Sequence, residues 1–206
     1  MSKEPKKKIQ DQALLYHLTD IENLESIFEH GLLSREELDQ SNKIGYSDVA
    51  DQEIIKKRKE LGLERHVPFH FFTKNPFDYA VIKGSRDKEF VLIALRRTIA
   101  KSRNWKIVTR HPLASSGVEV LGYDEGMKTI NWDCMNQRNF MEDEECKSIC
   151  MAECLSPKPV SASDFLNISV KNVDQQKKVN SLAKSAGLSV HVNLAPHMLV
   201  TVKEDD

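Results

Sequence analysis

The stretch LLYHLTDIENLESIFEHGLLS, residues 14–34, decides the fold class. LLYHLT is short, apolar and aromatic, is bounded by Asp20, and reads as a strand. DIENLESIFEHG then changes period. Asp20 is placed to cap a helix, Leu24, Ile27 and Phe28 fall on one helical face, and Gly31 stands where a left-handed residue closes it. A strand running straight into a helix predicts a mixed α+β domain.

Working outward, residues 1–12 are basic and polar and read as a solvated lead-in, leaving 13–206 as a single domain. No apolar stretch follows those basic residues, so they do not read as a secretory signal, and the expected location is the cytoplasm. Residues 33–65 are charge-mixed and hold one helical segment, ADQEIIKKRKELG (50–62). VPFHFF (67–72) reads as a strand. NPFDYAVIKG (75–84) reads as a helix with Asn75 as cap and Pro76 at the first position. EFVLIAL (89–95) is the best buried strand, and WKIVTR (105–110) and VEVLG (118–122) are two more. Residues 123–150 are long and polar and read as an irregular loop of functional type. AECLS (152–156), NISVKN (167–172), LSVHVN (188–193) and HMLVTV (197–202) read as strands, with DQQKKVNSLAKSAG (174–187) helical.

Composition removes several classes of function. With 206 residues, 30 Lys+Arg against 31 Asp+Glu and a net charge of −1, the chain is not basic throughout, although a local nucleic-acid groove remains open. No apolar run reaches the roughly 18–20 residues of a membrane span, so no membrane partner is expected. Neither GxGxxG nor GxxxxGK[ST] is present, which removes the main support for a Rossmann site or a P-loop. Cys146, Cys150 and Cys154 are spaced at four and four, but metal sites prefer close pairs separated by a long gap, so free thiols and no metal are expected.

Two residues stand out against their surroundings. His17 interrupts an apolar strand, and is either a core histidine bonded to backbone or a ligand contact. Glu153 sits among Ala152, Cys154 and Leu155, as an outward-facing residue of an edge strand or a functional carboxylate.

Four stretches in order, LLYHLTDIENLESIFEHGLLS (14–34), DQEIIKKRKELGLERHVPFHFFTKNPFDYAV (51–81), TRHPLAS (109–115) and CMAECLSPKPVSASDFLNISV (150–170), together resemble the DarT family of DNA ADP-ribosyltransferase toxins. His66 stands where that pattern commonly has Tyr, His70 where it often has a second aromatic, and 123–150 does not match closely. The resemblance implies two packed, mostly antiparallel sheets around a cleft for NAD+, used as substrate without a metal. It implies Glu153, Arg58 and His111 as catalytic residues. His17, Thr19, Asn23, Gly31, Phe71 and Tyr79 would bind NAD+, the last two beside the nicotinamide. The implied acceptor is a thymine or guanine base of single-stranded DNA, gripped by Lys56, Lys57, Arg110, Trp132 and Arg138. The implied partner is a cognate antitoxin of the macrodomain ADP-ribosylglycohydrolase type. Two alternatives stay open: a transferase of the same fold acting on RNA or protein, and a non-catalytic nucleotide- or nucleic-acid-binding module.

Overall fold

A computed structural model describes residues 7–41, 52–114 and 117–201. Strand β1 (Leu14–Asp20) leads through a 3-10 turn, Ile21–Asn23, into helix α1 (Leu24–His30). The Asp20 carboxylate accepts the Glu22 amide, and Gly31 ends α1 at φ 82°. At Gly31 a Cβ would also lie 2.7 Å from the Val160 carbonyl oxygen, so only glycine lets the chain pass. Helices α2 (Arg35–Ser41) and α3 (Gln52–Glu60) precede β2 (Val67–His70), and α4 (Pro76–Gly84) follows it. Asn75 caps α4 reciprocally with Asp78, as the Asn-Pro pair predicts.

The central strand β3 (Phe90–Arg96) is buried from Phe90 to Leu95. After it come α5 (Arg97–Ser102), β4 (Lys106–Val108), β5 (Val120–Gly122), α6 (Tyr123–Thr129), α7 (Trp132–Gln137) and α8 (Glu144–Cys150). The chain closes with β6 (Glu153–Ser156), β7 (Asn167–Val170), α9 (Val173–Ser185) and β8 (His191–Leu194).

The strands form a single eight-stranded sheet in the order β5-β4-β6-β2-β1-β3-β7-β8, corrected from the two packed sheets expected. Every pair is antiparallel except β7 with β8. What looks like two sheets is two halves joined at one place. β1 and β3 share seven register pairs, whereas β1 meets β2 only at Tyr16↔His70. The pairing is shortest there, and His17, Pro68, His70 and Glu153 from β1, β2 and β6 line a cavity.

Three further expectations change. Residues 123–150 are not an irregular loop but carry three helices of six or seven residues each, too short for their periodicity to show. They are held by Asn131 and Asp143 caps and by buried Met135, Cys146, Ile149 and Cys150. Gly126 is what lets α6 lie on β4, because a Cβ there would stand 2.4 Å from the Ile107 Cβ. The described part of HMLVTV, residues 197–201, is not a strand: Pro196–Met198 is a 3-10 turn, and Leu199 packs with Phe90 and Leu92 instead of pairing. The lead-in is not wholly solvated, since Ile9 is buried in the core and Ile9–Asp11 is a 3-10 turn. Residues 1–6, 42–51, 115–116 and 202–206 lie outside the described residues.

Candidate active site

Strand alternation builds the first wall of the cavity. Val67, Phe69 and Phe71 point into the core, and His66, Pro68 and His70 take the opposite face and line the cavity. β6 pairs with β2 so that Glu153, its first residue, stands beside His70. α3 then carries Arg58 across 95 residues of sequence to place Nη1 2.5 Å from Glu153 Oε2. The Glu153 side chain is buried, 8% exposed, and the Arg58 side chain is part-buried, 12% exposed. The cavity, ≈ 190 Å³, is lined by this pair together with His17, Thr19, Asn23, Gly31, His66, His70, Phe77 and His111, and by Leu18, Ile27 and Leu32.

Electrostatically the site holds the Arg58–Glu153 ion pair, with Arg35 and Glu64 also in its wall, among histidine rings that burial keeps neutral. His17 Nδ1 lies 2.8 Å from the Pro68 carbonyl oxygen. That oxygen can only accept, so Nδ1 carries the proton and Nε2 keeps its lone pair. Burial pushes the His17 pKa down against the pull of the Pro68 bond and of Glu153. Burial likewise pushes His70 down to about 4, against the attraction of Glu153. His111 is lowered for the same reason; its Nδ1 accepts the Leu113 amide at 3.3 Å, which leaves the N–H on Nε2. Among the described residues five buried side-chain polar atoms lack a partner, and three of them, on Glu64, His66 and His70, belong to the cavity wall. Such atoms are costly unless a ligand or water completes them.

The structure thus brings together His17, Thr19, Asn23, Gly31, Arg58, His111 and Glu153. It does not bring the rest. Phe71 is buried under Arg97 and edge-on to Trp132, on the core side of β2. Tyr79 is half-exposed on the outer face of α4 near Phe140, because two residues of helix rotate it away from Phe77. Lys56 is exposed and Lys57 pairs with Glu60. Arg110 pairs with Glu145, Trp132 donates to the Met127 carbonyl, and Arg138 lies over the Phe72 ring; none of them lines the cavity. His66, His70 and Phe77 are cavity residues that sequence reasoning passed over. The available signal was the alternation of HVPFH, with His66 and His70 out of phase with apolar Val67 and Phe69.

Cys146 and Cys150 lie on α8 and Cys154 on β6, so the four-residue spacing does not continue along one helix. All four cysteines are free, and burial pushes the Cys134 thiol up to about 12. Among the described residues no three His, Cys, Asp or Glu side chains stand where they could share a metal ion. Among the same residues no helix is long and apolar enough to cross a membrane.

Comparison with known proteins places this architecture. The chain resembles a Thermus sp. 2.9 DarT solved with ADP-ribosylated ssDNA, at 18% identity and TM-score 0.79, over 95% of this chain and 100% of that one. It also resembles a Thermosipho africanus DarTG solved with ADP-ribose, at 26% identity and TM-score 0.71, over 91% of this chain and 51% of that one. A DNA ADP-ribosyl transferase–DNA ADP-ribosyl glycohydrolase fusion protein of Thermosipho africanus (strain H17ap60334) is 29% identical over 179 residues. The match takes in 83% of this chain and 45% of that curated relative's length. The family model described as ssDNA thymidine ADP-ribosyltransferase, DarT, matches residues 16–200, and the chain therefore belongs to the DarT family.

Proposed function

We propose that the protein transfers ADP-ribose from NAD+ to a thymine base of single-stranded DNA. The observation that carries this reading is the Arg58–Glu153 pair, Glu153 buried and Arg58 part-buried, set in the wall of a cavity also lined by His17, His70 and His111. The residues fit NAD+ as substrate: a carboxylate and the His17 Nε2 lone pair suit ribose hydroxyls, and Leu18, Ile27, Leu32 and Phe77 suit rings.

Transfer breaks the bond between ribose C1′ and the cationic nicotinamide, and positive charge develops on the ribose. Glu153, 6% exposed, stabilises that charge where water screens little. The ring N–H of thymine that is not tied to its sugar supplies the nucleophile. Its nitrogen bonds to C1′, its proton passes to Glu153, and nicotinamide leaves neutral. Arg58 holds the negative charge that grows on the base; as a guanidinium it is no base itself. His111, with its N–H on Nε2, donates to a base carbonyl and orients it. A base inside a duplex cannot enter such a wall, so the acceptor is single-stranded. Arg138, Lys56 and Arg110, outside the cavity, supply backbone contacts that weaken with salt.

The fused glycohydrolase of the relative supports a partner that removes the modification, an antitoxin of that type, with this chain as the toxin. The four free cysteines fit a reducing cytoplasm.

The test is intact mass of single-stranded oligonucleotides after incubation with NAD+. Thymine-containing strands should gain one ADP-ribose, and Glu153→Gln, which keeps a hydrogen bond to Arg58, should lower the rate by about 10²–10³-fold. Modification of guanine-only strands would change the acceptor, and NAD+ consumption confined to RNA or protein targets would overturn the DNA reading.

A further inference from the structure

The His111 side of the cavity is fastened to α8 twice. The His111 amide donates to the Ser148 carbonyl at 2.9 Å, and Arg110, one residue earlier, pairs with Glu145. Glu145 and Ser148 are three residues apart and share a face of α8. The second link is the exposed one: the Arg110 side chain is 24% exposed and that of Glu145 64%. The mechanism above gives no task to a carboxylate on this arginine.

The two partners are held unequally. Arg110 Nε is enclosed, and a Cβ on Gly117 would stand 3.3 Å from the guanidinium carbon, so backbone closes one side of the group and leaves its Nη edge for a partner. Glu145 takes that edge through one nitrogen, with Nη1 3.0 and 3.3 Å from its two oxygens. A phosphate can take it through two parallel hydrogen bonds. Glu145 gives way at little cost, because it stands in the first turn of α8, where the helix amides favour a carboxylate even when it is unpaired. A base held against His111 keeps its own phosphate within one nucleotide of the cavity, and Arg110 is the next residue of the chain.

We propose that Glu145 is a built-in competitor for the acceptor strand: it covers the Arg110 guanidinium in the free protein, and a backbone phosphate of single-stranded DNA displaces it as a base enters beside His111. This rests on the reading that the cavity transfers ADP-ribose to single-stranded DNA. The exchange swaps one anion for another, so phosphate alone gains little at Arg110, and a strand whose base also fills the cavity displaces Glu145. Glu145 thereby sets DNA affinity without touching NAD+ or the reacting atoms.

Glu145→Gln keeps the shape and removes the charge. Glu144→Gln removes an adjacent charge that pairs with Lys147 instead. Arg110→Gln removes the guanidinium. Intact-mass rates with NAD+ and a thymine oligonucleotide give kcat and both KM values, and anisotropy of a labelled strand gives Kd against salt. Glu145→Gln should lower the oligonucleotide KM and Kd about three- to fivefold, the scale of a partly exposed ion pair, and Glu144→Gln less than about twofold. Arg110→Gln should raise both about tenfold and flatten the salt slope by about 0.7, one phosphate's share. In the variant carrying both Arg110→Gln and Glu145→Gln, the gain from Glu145→Gln should vanish, while the NAD+ KM stays within about twofold in every variant. An unchanged or raised oligonucleotide KM in Glu145→Gln overturns the competition. So does a gain that persists without Arg110, or one that Glu144→Gln equals, which marks general repulsion. A wild-type protein that modifies no DNA overturns the transferase reading itself, and this inference with it.

Discussion

Two guanidiniums, Arg97 buried and Arg58 part-buried, are served in opposite ways. Arg97, 6% exposed, donates to four backbone carbonyls: Leu14 at 3.1 Å, Ile9 at 2.9 Å, Gln10 at 3.2 Å and Phe71 at 3.0 Å. It ties the N-terminal turn, β1 and the end of β2 together, and its donors are occupied by architecture. Arg58 has one close partner, the Glu153 carboxylate, and a long contact of 3.5 Å to the Leu63 carbonyl. The fold completes the arginine that holds it together and leaves the other at the edge of a cavity, on a partner that a substrate can compete for.

The largest expected effect breaks the first region. Arg97→Met leaves several buried carbonyls unpaired at about 1–3 kcal/mol each and should lower stability by about 3–5 kcal/mol in urea unfolding. Activity per folded molecule should change little. A fully stable variant would show that those carbonyls find other donors.

Next comes pH, which acts on the cavity wall. His17 and His70 have folded-state pKa values below the free-chain value, His70 at about 4 against 6.5. The unfolded chain therefore takes up protons first. The stability these rings contribute is complete above about pH 6.5 and is lost as pH falls toward 4, below which the folded His70 also charges. For His70 alone the loss is of the order of 3 kcal/mol, and His70→Phe should remove its share of the acid slope in a Tm-versus-pH series.

A third, smaller effect lies in the second region. Arg58→Lys keeps the charge but loses the planar fork, so transfer should fall about 10–100-fold while the urea midpoint stays close to wild type. If stability fell as far as in Arg97→Met, the two arginines would not differ in kind.

The smallest belongs to a third arginine. Arg103 meets Asp164 at 2.6 and 3.0 Å, but with the arginine side chain 49% exposed. Arg103→Ala should cost under about 1 kcal/mol, less in high salt, because water already screens the pair.

The legible parts of the fold are those that carry their own signals. β1 into α1, the Asn75–Asp78 capping box and the apolar β3 were readable because caps, periods and apolar runs are local. α6 to α8 were not, because each is too short to show a period and is held by caps and by contact with the sheet. At the site, the sequence marked Glu153 and His17 as polar residues in apolar strands, and a resemblance supplied Arg58 and His111. Tyr79 and Phe71 show the limit, since composition gives aromatic residues near one another and only the backbone says which face each takes.

By itself the sequence determined β1 into α1, the α4 cap, the apolar β3, the family and the unusual carboxylate at 153, because these rest on local periodicity and on motifs in order. Only the tertiary structure decided that one strand pair, Tyr16↔His70, joins the half-sheets, and that Arg58 reaches Glu153 there. It also decided that His66 and His70 face the cavity while Phe69 and Phe71 face the core. The reason is that these arrangements depend on strand register and on contacts between residues far apart in the chain, which no window of neighbouring residues contains.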